Sequence, residues 1–229
     1  MTRSTALKMS SNWCDTMTTE EELFQLWPQL RERLHGKHLL GESGGSLSLR
    51  IPGTDAMWFG TAANASPKRT LYKGALPANG IAAQHAAVYA VRPDVSAIAI
   101  GGGVYGRSLA DFGGLMPQVF DEQARHLGRM GPAVDDASRI AYSLQKGGSV
   151  VLLQGLPVCL GLTATRMALN AELFEKCAKA YVLAVASGAK VKSLPWIVPF
   201  IANGRLRKDV QRATQRLQQG LLPEETKGY

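Results

Sequence analysis

A triple glycine, Gly101-Gly102-Gly103, closes the apolar run Val95-Ser96-Ala97-Ile98-Ala99-Ile100. Any chemistry at this spot belongs to the backbone. Glycine adopts conformations closed to other residues, so a peptide N–H can turn toward a ligand or approach it closely. Gly101, Gly103 and Gly106 satisfy a G-x-G-x-x-G spacing after a strand, the pattern of a phosphate cradle. The helix that should follow is broken at Asp111-Phe112-Gly113-Gly114, and no convincing parallel second strand follows at the expected distance, so a dinucleotide site is disfavoured. A looser anion or small-ligand pocket fits better, built from the N–H groups of 101–103 with Ser43 and Ser46.

Side chains that ligate metals or attack carbonyls are sparse. The chain has four histidines, His35, His38, His85 and His126, and no H-E-x-x-H. His35 and His38 are three apart, but Gly36 lies between them at a helix end. His85 lies on a helix and reads as a packed or hydrogen-bonded core histidine. Asp135-Asp136 looks like a helix start, where carboxylates complement the dipole, and Asp121-Glu122 looks similar. Cys159 in an apolar strand and Cys177 on a helix stripe read as inert core thiols. With Cys14 they are too widely spaced for a disulfide framework or a zinc finger, which suggests reduced thiols in a cytosol.

These groups are positioned by a mixture of hairpins and helices. Residues 1–17 read as a flexible tail. Thr18 and Glu21 offer a capping box for a helix to about Leu34, with an irregularity near Pro28. Leu47–Ile51 alternates as a half-buried strand, Pro52–Asp55 turns, and Ala56–Gly60 returns. Residues 61–78 read as irregular. Ile81–Val91 is a helix stopped by Arg92-Pro93-Asp94, and Val95–Ile100 a buried strand. A short helix is expected over 104–112, with further helices at Asp121–Arg129 and Asp136–Lys146. Ser149–Leu153 and Val158–Leu160 are strands around a hairpin-like turn. Met167–Ser187 is an amphipathic helix with a stripe of Leu169, Leu173, Cys177, Ala180 and Ala184, stopped by Gly188.

The 229 residues suit one sizeable domain, and 45% hydrophobic with 19% charged residues reads as globular. No apolar run approaches the roughly 18–20 residues of a membrane span, and the N-terminus lacks a signal-peptide core. The net charge of +8 is concentrated in part near the C-terminus. On a helix, Arg205, Lys208, Arg212 and Arg216 share one face, and Leu206, Val210, Ala213 and Leu217 the other. That pattern reads as a docked terminal helix with a wetted basic side. Nucleic acid ranks low as a partner, because no row of stacking aromatics accompanies the charge.

Three stretches together resemble the class II aldolase/adducin family. Ser43-Gly44-Gly45-Ser46-Leu47-Ser48-Leu49-Arg50 is similar to its strand-opening motif T-S-G-G-N-L-S-V-R. His85–Ile98 carries the helix, the arginine-proline-aspartate-valine turn and the central strand. Val150–Val158 and the long helix after it follow in the family's order, so the resemblance covers roughly residues 20–190. It implies an α/β/α three-layer sandwich around a mostly antiparallel central sheet, with tetramers common. It also implies a zinc ion on three histidines with a glutamate moving a proton. Here the histidine-x-histidine positions fall on Ile100 and Gly102, the third histidine on Gly155 and the glutamate on Ile81. The strand-motif asparagine is Ser46, and the paired serines fall on Asn79 and Gly80. No Asp or Glu lies between Asp55 and Asp94 to replace the acid.

The expected organisation is therefore a tail over 1–17, an aldolase-like domain over 18–200, and a basic helix and tail over 201–229. The expected function is non-catalytic binding or scaffolding of a small metabolite or protein partner by a cytoplasmic homo-oligomer, with no metal and no cofactor. The candidate ligand contacts are Ser43, Gly45, Ser46, Gly101, Gly102, Gly103, Tyr105 and Gly155. The alternative is a metal-independent lyase or isomerase acting on a small carbonyl or hydroxy-acid substrate. It would use Tyr105, Ser43, Ser46, Arg50 and Arg107, since a phenol or guanidinium can stabilise an enolate oxygen.

Overall fold

The computed structural model describes residues 17–41, 44–74 and 80–225. Thr18 caps the first helix, α1 (Thr19–Gly36), through the reciprocal Thr18–Glu21 bonds its sequence offers, and Pro28 lies within the helix. The alternating segments form β1 (Ser46–Arg50) and β2 (Ala56–Thr61), paired antiparallel from Ser46 opposite Thr61 to Arg50 opposite Met57. β3 (Lys68–Leu71) then pairs with β2. This corrects the irregular reading of 61–78. Lys68 and Arg69 are exposed on a sheet edge, where charge replaces apolar alternation and discourages further pairing.

α2 (Ile81–Val91) leads into β4 (Ala97–Ile100), then α3 (Val104–Ser108) and a 3-10 turn to Phe112. The helix expected over Asp121–Arg129 is only a π-helical turn, Gln123–Leu127. Gly128 breaks it at φ 67°, and the Gln123 side chain accepts from the N–H groups of Val119 and Phe120. The helix expected over Asp136–Lys146 is a 3-10 turn followed by α4 (Ile140–Leu144). β5 (Val150–Leu153), β6 (Leu156–Gly161), α5 (Ala164–Ala186) and α6 (Ile197–Gln218) complete the chain.

The six strands run β3-β2-β1-β4-β6-β5, and every neighbouring pair is antiparallel. Alternation along the strands splits the core into two layers. Leu47, Leu49, Ala97, Ala99, Leu152 and Cys159 face α1 and α5, while Ile98, Ile100, Val151, Val158 and Leu160 face α2 and α4. The buried stripe of α5 includes Met167, Ala171, Phe174, Cys177, Ala178 and Val182, rotated from the expected stripe, of which Cys177 is buried and Ala180 exposed. The buried face of α6 is Leu206, Asp209, Ala213 and Leu217. Asp209 takes the place expected for Val210, which is half-buried, because Arg125 of the π-turn pairs with it at 2.7 Å.

Candidate functional site

The triple glycine sits where β4 leaves the sheet, and the chain itself fills the space around it. Gly101 (φ 143°) faces the Leu40 backbone, so that a Cβ there would lie 2.5 Å from the Leu40 carbonyl oxygen. Gly45 faces the same peptide, its Cβ position 1.7 Å from that oxygen. The two glycines thus let the 39–41 segment pass against the strand ends. Gly102 (φ 69°) lies against the Pro157 ring, 2.3 Å from its Cγ to the Cβ position.

One N–H group of the loop is engaged as well. Gly101 N–H donates to the Pro157 carbonyl at 3.0 Å. One α3 turn further on, the N–H groups of Tyr105 and Gly106 donate to the two oxygens of Glu175 on α5, at 2.8 and 2.9 Å. That carboxylate also occupies the space a side chain at Gly103 would need. An internal anion is therefore held one turn beyond the 101–103 N–H groups expected to form the cradle. Beside it, Arg107 reaches Gly41, its Nη1 3.8 Å from the Cβ position there, and its Nε is buried with no hydrogen-bond partner among the described residues.

The four positions that the resemblance assigns to metal and proton transfer gather at this end of the sheet. Ile100 is buried in the α2-side core opposite Val158, Gly102 abuts Pro157, and Gly155 (φ 76°) turns the β5–β6 hairpin. Ile81 opens α2, whose Gln84 donates to Gln154 at 3.2 Å and ties the helix start to that turn. The residues here do not fit a zinc ion: an isoleucine in the core and two glycines offer no donor atoms. No group of three His, Cys, Asp or Glu side chains among the described residues is placed to hold a metal.

The remaining candidates separate onto the two faces of the sheet. Ser46, Ser48 and Arg50 point toward α2. Ser46 Oγ and Ser48 Oγ meet the two nitrogens of His85 at 2.8 and 2.7 Å, and Ser48 Oγ also meets Tyr89 Oη at 2.9 Å. Arg50 stacks on the Tyr89 and Tyr72 rings and donates to the carbonyls of Tyr89, Arg92 and Pro93. Tyr105 lies on the other face, packed against the α1/α5 layer with Lys179 over its ring. Tyr105 therefore does not converge with Ser46 or Arg50. Ser43 lies outside the described residues. Glu175, Gln84 and Gln154 were missed at the sequence level; only the rotated stripe of α5 could have pointed to Glu175.

His85 is fully enclosed, and burial pushes it down to about 3. The unfolded chain takes up this proton near pH 6.5 while the native protein does not. The stability His85 contributes is therefore complete above that value and is lost as pH falls toward 3, at up to about 1.4 kcal/mol per pH unit. Urea unfolding followed from roughly pH 7 to pH 4 should show this slope. In a folded His85→Gln variant it should fall by about one proton; an unchanged slope would assign the effect to another group. Burial also pushes Cys159 up to about 12 and Cys177 up to about 11, which keeps both thiols protonated and unreactive.

No family model matches the chain, and no curated protein matches it. Solved structures do. YgbL from Escherichia coli superposes with a TM-score of 0.69 at 18% identity, over 81% of this chain and 100% of that one. L-fuculose 1-phosphate aldolase from Glaciozyma antarctica superposes with a TM-score of 0.65 at 17% identity, over 88% and 92%. An aldolase II superfamily protein from Pseudomonas syringae gives 0.65 at 15%, over 90% and 94%. The fold is class II aldolase-like. At these identities the likeness concerns backbone architecture, which the aldolase-like sheet order and its two helical layers carry. No helix among the described residues is long and apolar enough to cross a membrane.

Proposed function

We propose that this chain uses the aldolase-like fold for metal-free, non-catalytic binding or scaffolding of a small metabolite or a protein partner. The observation that carries the reading is the joint replacement of the metal and proton-transfer positions by Ile81, Ile100, Gly102 and Gly155. The Gly102 position is further packed against Pro157. Arg107, whose Nη1 lies beside Gly41 and whose Nε has no hydrogen-bond partner among the described residues, is the polar group that would meet an anionic ligand at this end of the sheet. Cytoplasmic residence and assembly into a homo-oligomer belong to the same reading. The lyase alternative requires its polar groups to meet, and the placement of Tyr105 across the sheet from Ser46 and Arg50 weighs against it.

Elemental analysis of the full chain, purified without chelator and then incubated with zinc, tests the reading. The expected result is far less than one zinc per chain and a melting temperature unmoved by EDTA. One tightly held zinc per chain, lost together with stability on chelation, would overturn it.

A further inference from the structure

At the sheet end opposite Gly101–Gly103, beyond the last residue of β6, α6 and the segment after it enclose a cavity of about 560 Å³. That volume lies in the range of small-molecule sites. Arg125 from the π-turn, Arg166 from α5, and Arg212 and Arg216 from α6 all line it. Planar guanidiniums are suited to binding oxyanions through paired hydrogen bonds. The first turn of the 23-residue helix α5, capped by Thr163, lines it too, adding the positive end of a long helix dipole.

Among the described residues, two kinds of carboxylate meet these arginines. Asp209 is buried on α6 and holds Arg125 at 2.7 Å and Arg212 at 2.6 Å, a fixed part of the wall. Glu224 and Glu225 belong instead to the irregular segment after α6, and their side chains are 78% and 37% exposed. Glu225 takes the Thr163 hydroxyl and the Arg166 guanidinium, while Glu224 takes Arg216 at 2.8 Å. An external anion could exchange with these two carboxylates, but not with Asp209.

Asn170 supplies an independent sign of a ligand. It lines the cavity, is only 2% exposed, and its Nδ2 donates to the Leu160 carbonyl at 2.8 Å, which sets the orientation of the amide. Its Oδ1 is buried with no partner among the described residues. A buried acceptor left unpaired costs about 1–3 kcal/mol and calls for an O–H or N–H donor from an occupant. Nearby, His126 Nδ1 lies 3.3 Å from Arg166. Burial, then the charges of Arg166 and Arg125, push this histidine down to about 4, so it stays neutral and adds no competing charge at neutral pH.

We propose that this cavity binds a small oxyanion carrying a neighbouring hydroxyl group, with Glu225 standing in the place of the anion. Thr163, Arg166 and the N-terminus of α5 hold the oxyanion, whether carboxylate or phosphate ester. The hydroxyl donates to Asn170 Oδ1, and Arg216, released from Glu224, pairs with the remaining charge.

The test is calorimetric titration of the full chain with glycerate and, separately, with glycerol 3-phosphate. Glu225→Gln removes the charge of the internal competitor and keeps its shape. It is expected to bind at least one of the two about tenfold more tightly than the parent, and the arm that responds identifies the class of oxyanion. Arg166→Gln added to that variant is expected to lose at least tenfold of the gained affinity. Should the double variant fail to fold, amide shift changes at Arg166 and Asn170 in labelled Glu225→Gln, induced by the same anion, provide the localisation. Absence of heat and shift changes with both anions in Glu225→Gln would overturn the proposal. So would binding that is lost in Arg107→Gln but kept in Arg166→Gln, which would move the anion to the glycine end.

Discussion

Asp94→Ala lowers the stability of the chain by about 3–5 kcal/mol. Asp94 and Arg92 form a two-pronged pair, Nε to Oδ1 at 2.8 Å and Nη2 to Oδ2 at 2.7 Å, with side chains 3% and 7% exposed. The third arm of Arg92 donates to the Gly148 carbonyl at 2.6 Å. Removing the carboxylate leaves a guanidinium buried without its counter-charge, and the loss comes from that stranded charge more than from the pair's own attraction. Urea denaturation measures the change. Replacing both partners by apolar residues, Arg92→Leu with Asp94→Leu, is expected to cost less than Asp94→Ala alone. If the single variant lost under about 1 kcal/mol, the pair would be solvated in solution.

Gly102→His, which puts back one ligand that the resemblance calls for, is expected to lose about 3 kcal/mol and to gain no zinc. Two causes add. A residue with a Cβ at φ 69° pays about 1–2 kcal/mol for the left-handed conformation. The new atom would also lie 2.3–2.8 Å from three carbons of the Pro157 ring, and forcing apart a packed contact costs about 1–3 kcal/mol. A thermal melt with and without zinc reads both outcomes. A folded Gly102→His chain that zinc stabilises would mean that Pro157 can move aside and that a metal can be held at this sheet end.

The elements legible from sequence were those whose own patterning agrees with their surroundings. β1 and β2 alternate, although β1, read as half-buried, is buried on both faces because its Ser46, Ser48 and Arg50 are covered by α2; α2 ends at Arg92-Pro93-Asp94, and Thr18 with Glu21 caps α1 as their spacing requires. β3 was illegible because Lys68-Arg69-Thr70 has no apolar period, and its strand state is imposed by pairing with β2. The stripe of α5 was misplaced because alanines sit on several of its faces, so composition does not choose among them. At the candidate site, the glycines and the absence of histidine or glutamate at Ile81, Ile100, Gly102 and Gly155 could be read directly. What filled the space could not. The Glu175 carboxylate reaches Tyr105 and Gly106 across about 70 residues of chain, and no local spacing signals so distant a contact.

The Glu175 contact also bears on which ligands this protein can take. A tethered carboxylate competes with free anions as an intramolecular group, at an effective concentration that can reach the millimolar range or above. A dissolved metabolite at ordinary cellular levels would have to displace it from two N–H donors and then leave Glu175 to find other partners between α3 and α5. The glycine-rich turn thus behaves as a clasp that is already shut. Variation at Glu175, more than variation at any glycine, would be the change that reopens it.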